Sequence, residues 1–126
     1  MVLHHVGIVN RSEEDADRFY AGILGLMRAR EYVVSAELSE QLFSIRKEIN
    51  AIVYEGNGLR IEVFICPEFI RQSDEIRHIG VLVEDLQSII DKAMTHSAEY
   101  IIGKTKDKTV HFLKDYSGNM IEIKQC

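Results

Sequence analysis

The sequence predicts an α+β fold made of two βαβββ modules whose mixed sheets curve around a cleft. Three observations predict it. His5-Val6-Gly7-Ile8 recurs as His78-Ile79-Gly80-Val81. A helix with an acidic or hydroxyl start follows each copy. Each half then closes on Ile-Glu-(Val/Ile) just after a Gly/Asn turn, as Ile61-Glu62-Val63 and Ile121-Glu122-Ile123. A supersecondary unit used twice leaves this kind of internal period. The chain therefore reads as one domain over residues 1–126, with one module at 1–70 and the other at 71–126. From His5 to Glu62 is 57 positions and from His78 to Glu122 is 44, so the first half carries 13 more. These fall in the stretch 31–50.

The elements follow in order. Leu3–Val9 is a short apolar run, a strand. Ser12 is a hydroxyl N-cap, followed by Glu13, Glu14 and Asp15, which suit the positive end of a helix dipole. Ala16, Phe19, Tyr20, Ile23 and Leu24 then lie on one helical face, and Gly25 is the C′ residue. Arg28–Val34, Ala51–Glu55 and Leu59–Ile65 read as strands, the last two joined by Gly56-Asn57-Gly58. The stretch Ser35–Ile49 fits either a loop or a helical turn. Ile76–Glu84 is the second half's first strand, and Asp85 caps a helix whose face is Leu86, Ile89, Ile90, Ala93 and Met94. Tyr100–Lys104, Thr109–Lys114 and Met120–Lys124 are its last strands, with Ser117-Gly118-Asn119 as the final turn.

Composition excludes several classes. With 46% apolar and 28% charged residues, the chain of 126 is an ordinary globular one. Its net charge is −5, from 15 basic against 20 acidic residues, and it has no basic stripe, so nucleic acid is not an expected partner. No apolar run nears the ~20 residues that span a bilayer. Met1–His5 has neither a basic nor a long apolar region, so no signal peptide is expected. Cys66 and Cys126 form no disulfide framework and fit a reducing cytoplasm.

Strand alternation sorts the repeated residues by face. Val6, Ile8, Ile61, Val63, Ile79, Val81, Ile121 and Ile123 take the helix-packed faces. His5, Glu62, His78 and Glu122 then project from the opposite faces, with Gly7 and Gly80 leaving room beside the histidines. If the two sheets face each other, two imidazoles and two carboxylates meet in one cleft. Two buried like charges are costly without a cation. A divalent metal with His5, Glu62, His78 and Glu122 as ligands satisfies them, leaving further positions for water or substrate oxygens.

With these residues placed, the chain resembles the vicinal oxygen chelate superfamily of glyoxalases, bleomycin- and fosfomycin-resistance proteins, epimerases and extradiol dioxygenases. The similar stretches are Leu3–Val9 with Phe19-Tyr20-Ala21-Gly22-Ile23-Leu24-Gly25-Leu26, then Arg60–Phe64, His78–Leu86 and Asp115–Ile123. All four ligand positions of the family are filled, which is most like the compact glyoxalase I (lactoylglutathione lyase) type. The resemblance implies a glyoxalase-like fold with one divalent metal per site (Ni, Co, Zn or Mn). It implies a lyase or isomerase that moves a proton next to a metal-bound carbonyl through an enediolate. Glu122 is the first choice of base and Glu62 the second. It also implies a small-molecule substrate, a thiol adduct or an acyl-thioester, and a homodimer. Alternatives within the family are a methylmalonyl-CoA-epimerase-like enzyme, a ring-cleaving dioxygenase and a metal-free binding or resistance protein. The sequence departs from the family at Val9 and Asn10, where glutathione-dependent members carry an arginine, and at Tyr116, where a proline is usual.

The remaining candidates read as ordinary residues: His4 is peripheral, His111 a plain strand residue and His96 a helix-end cation. Arg28, Arg30 and Arg46 are solvated surface, and Cys66 is a packing residue.

Overall fold

The computed structural model of the chain describes residues 1–72 and 75–126. It runs β1 (Val6–Asn10), α1 (Glu13–Ala16) continued by a π-helical stretch (Asp17–Ile23), β2 (Met27–Val34), α2 (Ala36–Phe43), β3 (Ile49–Gly56) and β4 (Leu59–Ile65). The second half runs β5 (His78–Val83), α3 (Leu86–Thr95), β6 (Glu99–Lys104), β7 (Thr109–Lys114) and β8 (Met120–Gln125). Two four-stranded mixed sheets result, ordered β1-β4-β3-β2 and β5-β8-β7-β6. In each, the first strand pairs parallel with the last, and the last three strands form an antiparallel meander. This is the α+β architecture the repeat predicts.

Alternation along the strands sets the faces. Ile61, Val63 and Ile121 are 0% exposed, and together with Ile123 they pack on the helices. Ala16, Phe19, Tyr20 and Ile23 of the first helix join Ile89 and Ala93 of α3 in one cluster with both sheets. A single core therefore spans the two repeats. Burial of each large aliphatic side chain in it contributes about 1.5–3 kcal/mol.

The caps are the ones the sequence marks. Ser12 Oγ accepts from Asp15 N–H, and Asp85 Oδ1 accepts from Ser88 N–H at 2.9 Å. Gly25 takes φ +71°, a left-handed value that costs glycine little. Four details differ from expectation. β1 begins at Val6, because pairing with β4 starts at Val6 opposite Ile61; Leu3, His4 and His5 precede it, exposed. The first helix widens after one turn into π-type bonding, with Leu24 N–H reaching the Phe19 carbonyl. The ambiguous stretch holds a true helix, α2, capped when Ser35 Oγ accepts from Leu38 N–H and ended at Ser44 with φ 59°. Met94, expected in the core, is 66% exposed, since α3 buries only Ile89, Ile90 and Ala93.

A polar joint ties the repeats together. Asn10 Nδ2, at the end of β1, donates to Asp115 Oδ2 at 2.8 Å. Asn119 Nδ2 donates to the Val9 carbonyl at 2.7 Å, and Arg11 N–H donates to Ser117 Oγ. Tyr116 does more than replace a turn proline. Its hydroxyl donates to the His96 carbonyl, and its ring lies edge-on to Phe19 and under the Arg18 guanidinium.

Candidate functional site

The first half-site lies where β1 and β4 run side by side. Parallel pairing sets Gly7 opposite Glu62, so both face away from the helices. His5, one residue before the strand, brings Nε2 to 3.5 Å from Glu62 Oε2. Glu62 is only 6% exposed. The Tyr32 hydroxyl, from β2, donates to the same Oε2 at 2.7 Å. Burial, and then the Glu62 carboxylate, push the Tyr32 hydroxyl up to about 12. His4 is less peripheral than its sequence position suggests. Arg60 donates to His4 Nε2, and His4 Nδ1 lies 2.9 Å from His5 Nδ1.

The second half-site repeats the first. Gly80 pairs opposite Glu122, and His78 Nε2 lies 3.5 Å from Glu122 Oε2. The matching side-chain exposures, 40% for His5 and 41% for His78, mark the two as equivalent. His78 Nδ1 lies 3.0 Å from the Ile76 carbonyl and donates to it. That bond leaves Nε2 as the ring nitrogen that faces the Glu122 carboxylate. Lys124 Nζ stands 3.3 Å from Glu122 Oε1, and the Phe112 ring meets His78 edge-on.

Each His/Glu pair suits a metal ion. Donors about 2.0–2.2 Å from one ion lie roughly 3–3.5 Å apart when they take neighbouring positions. A ring N–H given to a backbone carbonyl is the usual way a ligating histidine is oriented. A Cβ on Gly80 would lie 3.7 Å from Glu122 Oε2, at ordinary contact distance. The pairs do not merge within one chain: among the described residues no three His, Cys, Asp or Glu side chains are placed to hold one metal ion. The chain thus presents two separate pairs, each with one imidazole and one carboxylate.

Other candidates sort clearly. His111 lies on the helix-facing side opposite Ile123, with the Tyr100 hydroxyl 2.6 Å from Nδ1. Arg28 is held by Glu13, Asp17 and Glu31, and Arg46 pairs with Glu40. Arg30 pairs opposite Val53, itself opposite Glu62, so it shares the site face and stacks over the Tyr32 ring. Helix α2 reaches the same face through Phe43, which packs edge-on to Phe64. Sequence reading missed Tyr32. Its only signal was the apolar-polar alternation of β2.

This fold, with an imidazole-carboxylate pair on each sheet, defines a class of paired-module proteins. The chain belongs to the Glyoxalase/Bleomycin resistance protein/Dioxygenase superfamily, whose family model matches residues 2–123. It is similar to the solved structure of a glyoxalase family protein from Enterococcus faecalis, with 22% identity, 97% of this chain and 95% of that one covered, and a TM-score of 0.72. A glyoxalase family protein from Bacillus cereus gives 17% identity, coverage of 98% and 92%, and a TM-score of 0.76. The fosfomycin resistance protein FosX from Mesorhizobium loti gives 11% identity, coverage of 98% and 90%, and a TM-score of 0.69. At these identities the likeness is one of fold. No curated protein matches the chain. No described helix is long and apolar enough to cross a membrane.

Proposed function

We propose that the chain works as a homodimer with a divalent metal, as a glyoxalase-I-like lyase or isomerase. In this reading His5 and Glu62 of one copy and His78 and Glu122 of a second copy make up the four-donor set. The observation that carries it is the duplicated pair, with the same 3.5 Å separation on both sheets and, among the described residues, no group of three such side chains placed to hold an ion within one chain. Two such pairs supply the mixed nitrogen and oxygen donors that suit nickel, cobalt, zinc or manganese.

The bound ion would supply Lewis-acid polarisation of substrate oxygens. The protein's own residues do the rest. Glu122 takes a proton from the carbon beside a carbonyl and returns it to the neighbouring position, and Glu62 is the second choice for that step. His5 and His78 hold the donor geometry. Phe64 and Phe112 line the two site faces with apolar surface, which suits a small carbonyl substrate such as a thiol adduct or an acyl-thioester.

The test is metal analysis of protein purified without chelator or added metal, followed by solvent-deuterium incorporation into α-hydroxy thioesters and acyl-CoA compounds. The expected outcome is bound nickel, cobalt, zinc or manganese and deuterium uptake that falls at least ~10²-fold in Glu122→Gln. Full activity after the metal is stripped would overturn the reading. Bound iron with oxygen consumption would replace it with the dioxygenase one.

A further inference from the structure

The two half-sites match in their histidine and glutamate but differ in what holds the glutamate. Glu62 is clamped: Oε2 accepts from the Tyr32 hydroxyl at 2.7 Å, and the residue is nearly buried. Among the described residues Glu122 has no such clamp. Its other neighbour is Lys124, whose own side chain is 61% exposed and contacts Oε1 at 3.3 Å. An exposed ammonium on a flexible stem restrains a carboxylate weakly.

Strand register explains the difference. In the first sheet Val53 lies opposite Glu62, and two residues along, Ala51 lies opposite Tyr32. In the second sheet Phe112 lies opposite Glu122, and two residues along, Val110 lies opposite Gly103. Gly103 therefore occupies in the second repeat the place of Tyr32 in the first, and a glycine has nothing to donate.

We infer that Tyr32 is a positioning residue that makes the two carboxylates unequal: it fixes Glu62 as a standing metal ligand and leaves Glu122 as the carboxylate free to move a proton. This rests on the metal-dependent reading above. The Tyr32 hydrogen bond on Oε2 orients the Glu62 carboxylate before any ion arrives. A hydrogen bond of this kind to a ligand is worth about 10–100-fold in metal affinity. The assignment also gives a physical reason for placing the proton step on Glu122, where sequence equivalence alone leaves the two glutamates interchangeable.

The experiment is a Co2+ titration of the metal-free, full-length protein, read by the visible cobalt bands and by competition with a chelator. The variants are Tyr32→Phe, Glu62→Ala, Glu122→Ala and the two doubles. Tyr32→Met stands in where the phenylalanine ring does not pack, and metal-free thermal melting reports the fold of each variant. The expected result is a 10–100-fold weaker Co2+ affinity for Tyr32→Phe with melting close to wild type. The loss disappears in the Glu62→Ala background and persists in the Glu122→Ala background, as coupling between contacting groups requires. A Tyr32→Phe affinity within twofold of wild type, or an equal loss in both glutamate backgrounds, would overturn the inference and leave the metal-dependent reading standing. A wild-type protein that takes up no Co2+ would overturn both.

Discussion

Asp115 is a buried carboxylate with no cation beside it among the described residues, and neutral donors surround it. Oδ2 accepts from Asn10 Nδ2, Asn119 Nδ2 and the Tyr20 hydroxyl, and Oδ1 accepts from the backbone N–H groups of Ser117 and Asn119. These donors come from β1, the first helix and the β7–β8 turn, so one side chain joins both repeats. Asp115→Asn turns an acceptor into a donor among donors. It is expected to cost about 3 kcal/mol in urea denaturation, the scale of a lost charged hydrogen bond. Tyr20 belongs to the same cluster, and burial, then Asp115, hold its hydroxyl well above the ordinary value. Burial likewise raises Tyr54, helped by its bond to Asp17, and Tyr32. A raised folded-state value favours the protonated form in the native protein. The stabilisation is complete below the unfolded-state value near 10 and is lost as pH rises through the folded values. The urea midpoint is therefore expected to hold up to about pH 10 and to fall steadily above it. A midpoint flat to pH 11.5 would contradict this. At this scale His5, Glu62, His78 and Glu122 were legible because each recurs in register. Tyr32 was not, because it acts 30 positions away in sequence and its counterpart is a glycine.

At the scale of elements, the strands were legible in proportion to their alternation. Ile61-Glu62-Val63 and Ile121-Glu122-Ile123 put aliphatic residues on the core face and a carboxylate on the other, as period-two spacing demands. Helix faces were legible too, apart from Met94, because α3 needs only Ile89, Ile90 and Ala93 to meet the sheet. The π-helical stretch was not legible, since apolar spacing over Asp17–Ile23 is too short to separate one helical period from another. Helix α2 was hidden for a different reason. It has no counterpart in the second repeat, so the internal comparison that located every other element was silent there. Its Ser35 cap is one of many serines that could cap or not.

For the whole molecule, the sequence gives two modules and four matching side chains, and the structure arranges those side chains as two pairs. Alternation fixes which face a residue takes. It does not fix whether two faces of one chain meet. That depends on how the sheets are joined, and here the Asn10–Asp115 joint and the shared helical core set it. The parallel pairing of β1 with β4 also dictates an order of assembly. Val6 meets Ile61 and His78 meets Met120, so each repeat's first strand finds its neighbour only after the rest of that repeat exists. The β3–β4 and β7–β8 pairs close short local turns and bear little loop-closure entropy, whereas the first strand must close nearly a whole repeat. Within each repeat the first strand is made before the other three and pairs after them. Pulse-labelled hydrogen exchange during refolding is expected to protect β3–β4 amides before those of β1, and simultaneous protection would refute that order. Until β4 arrives, the nascent chain carries an apolar strand without a partner, and the aggregation hazard of this fold is concentrated in that interval.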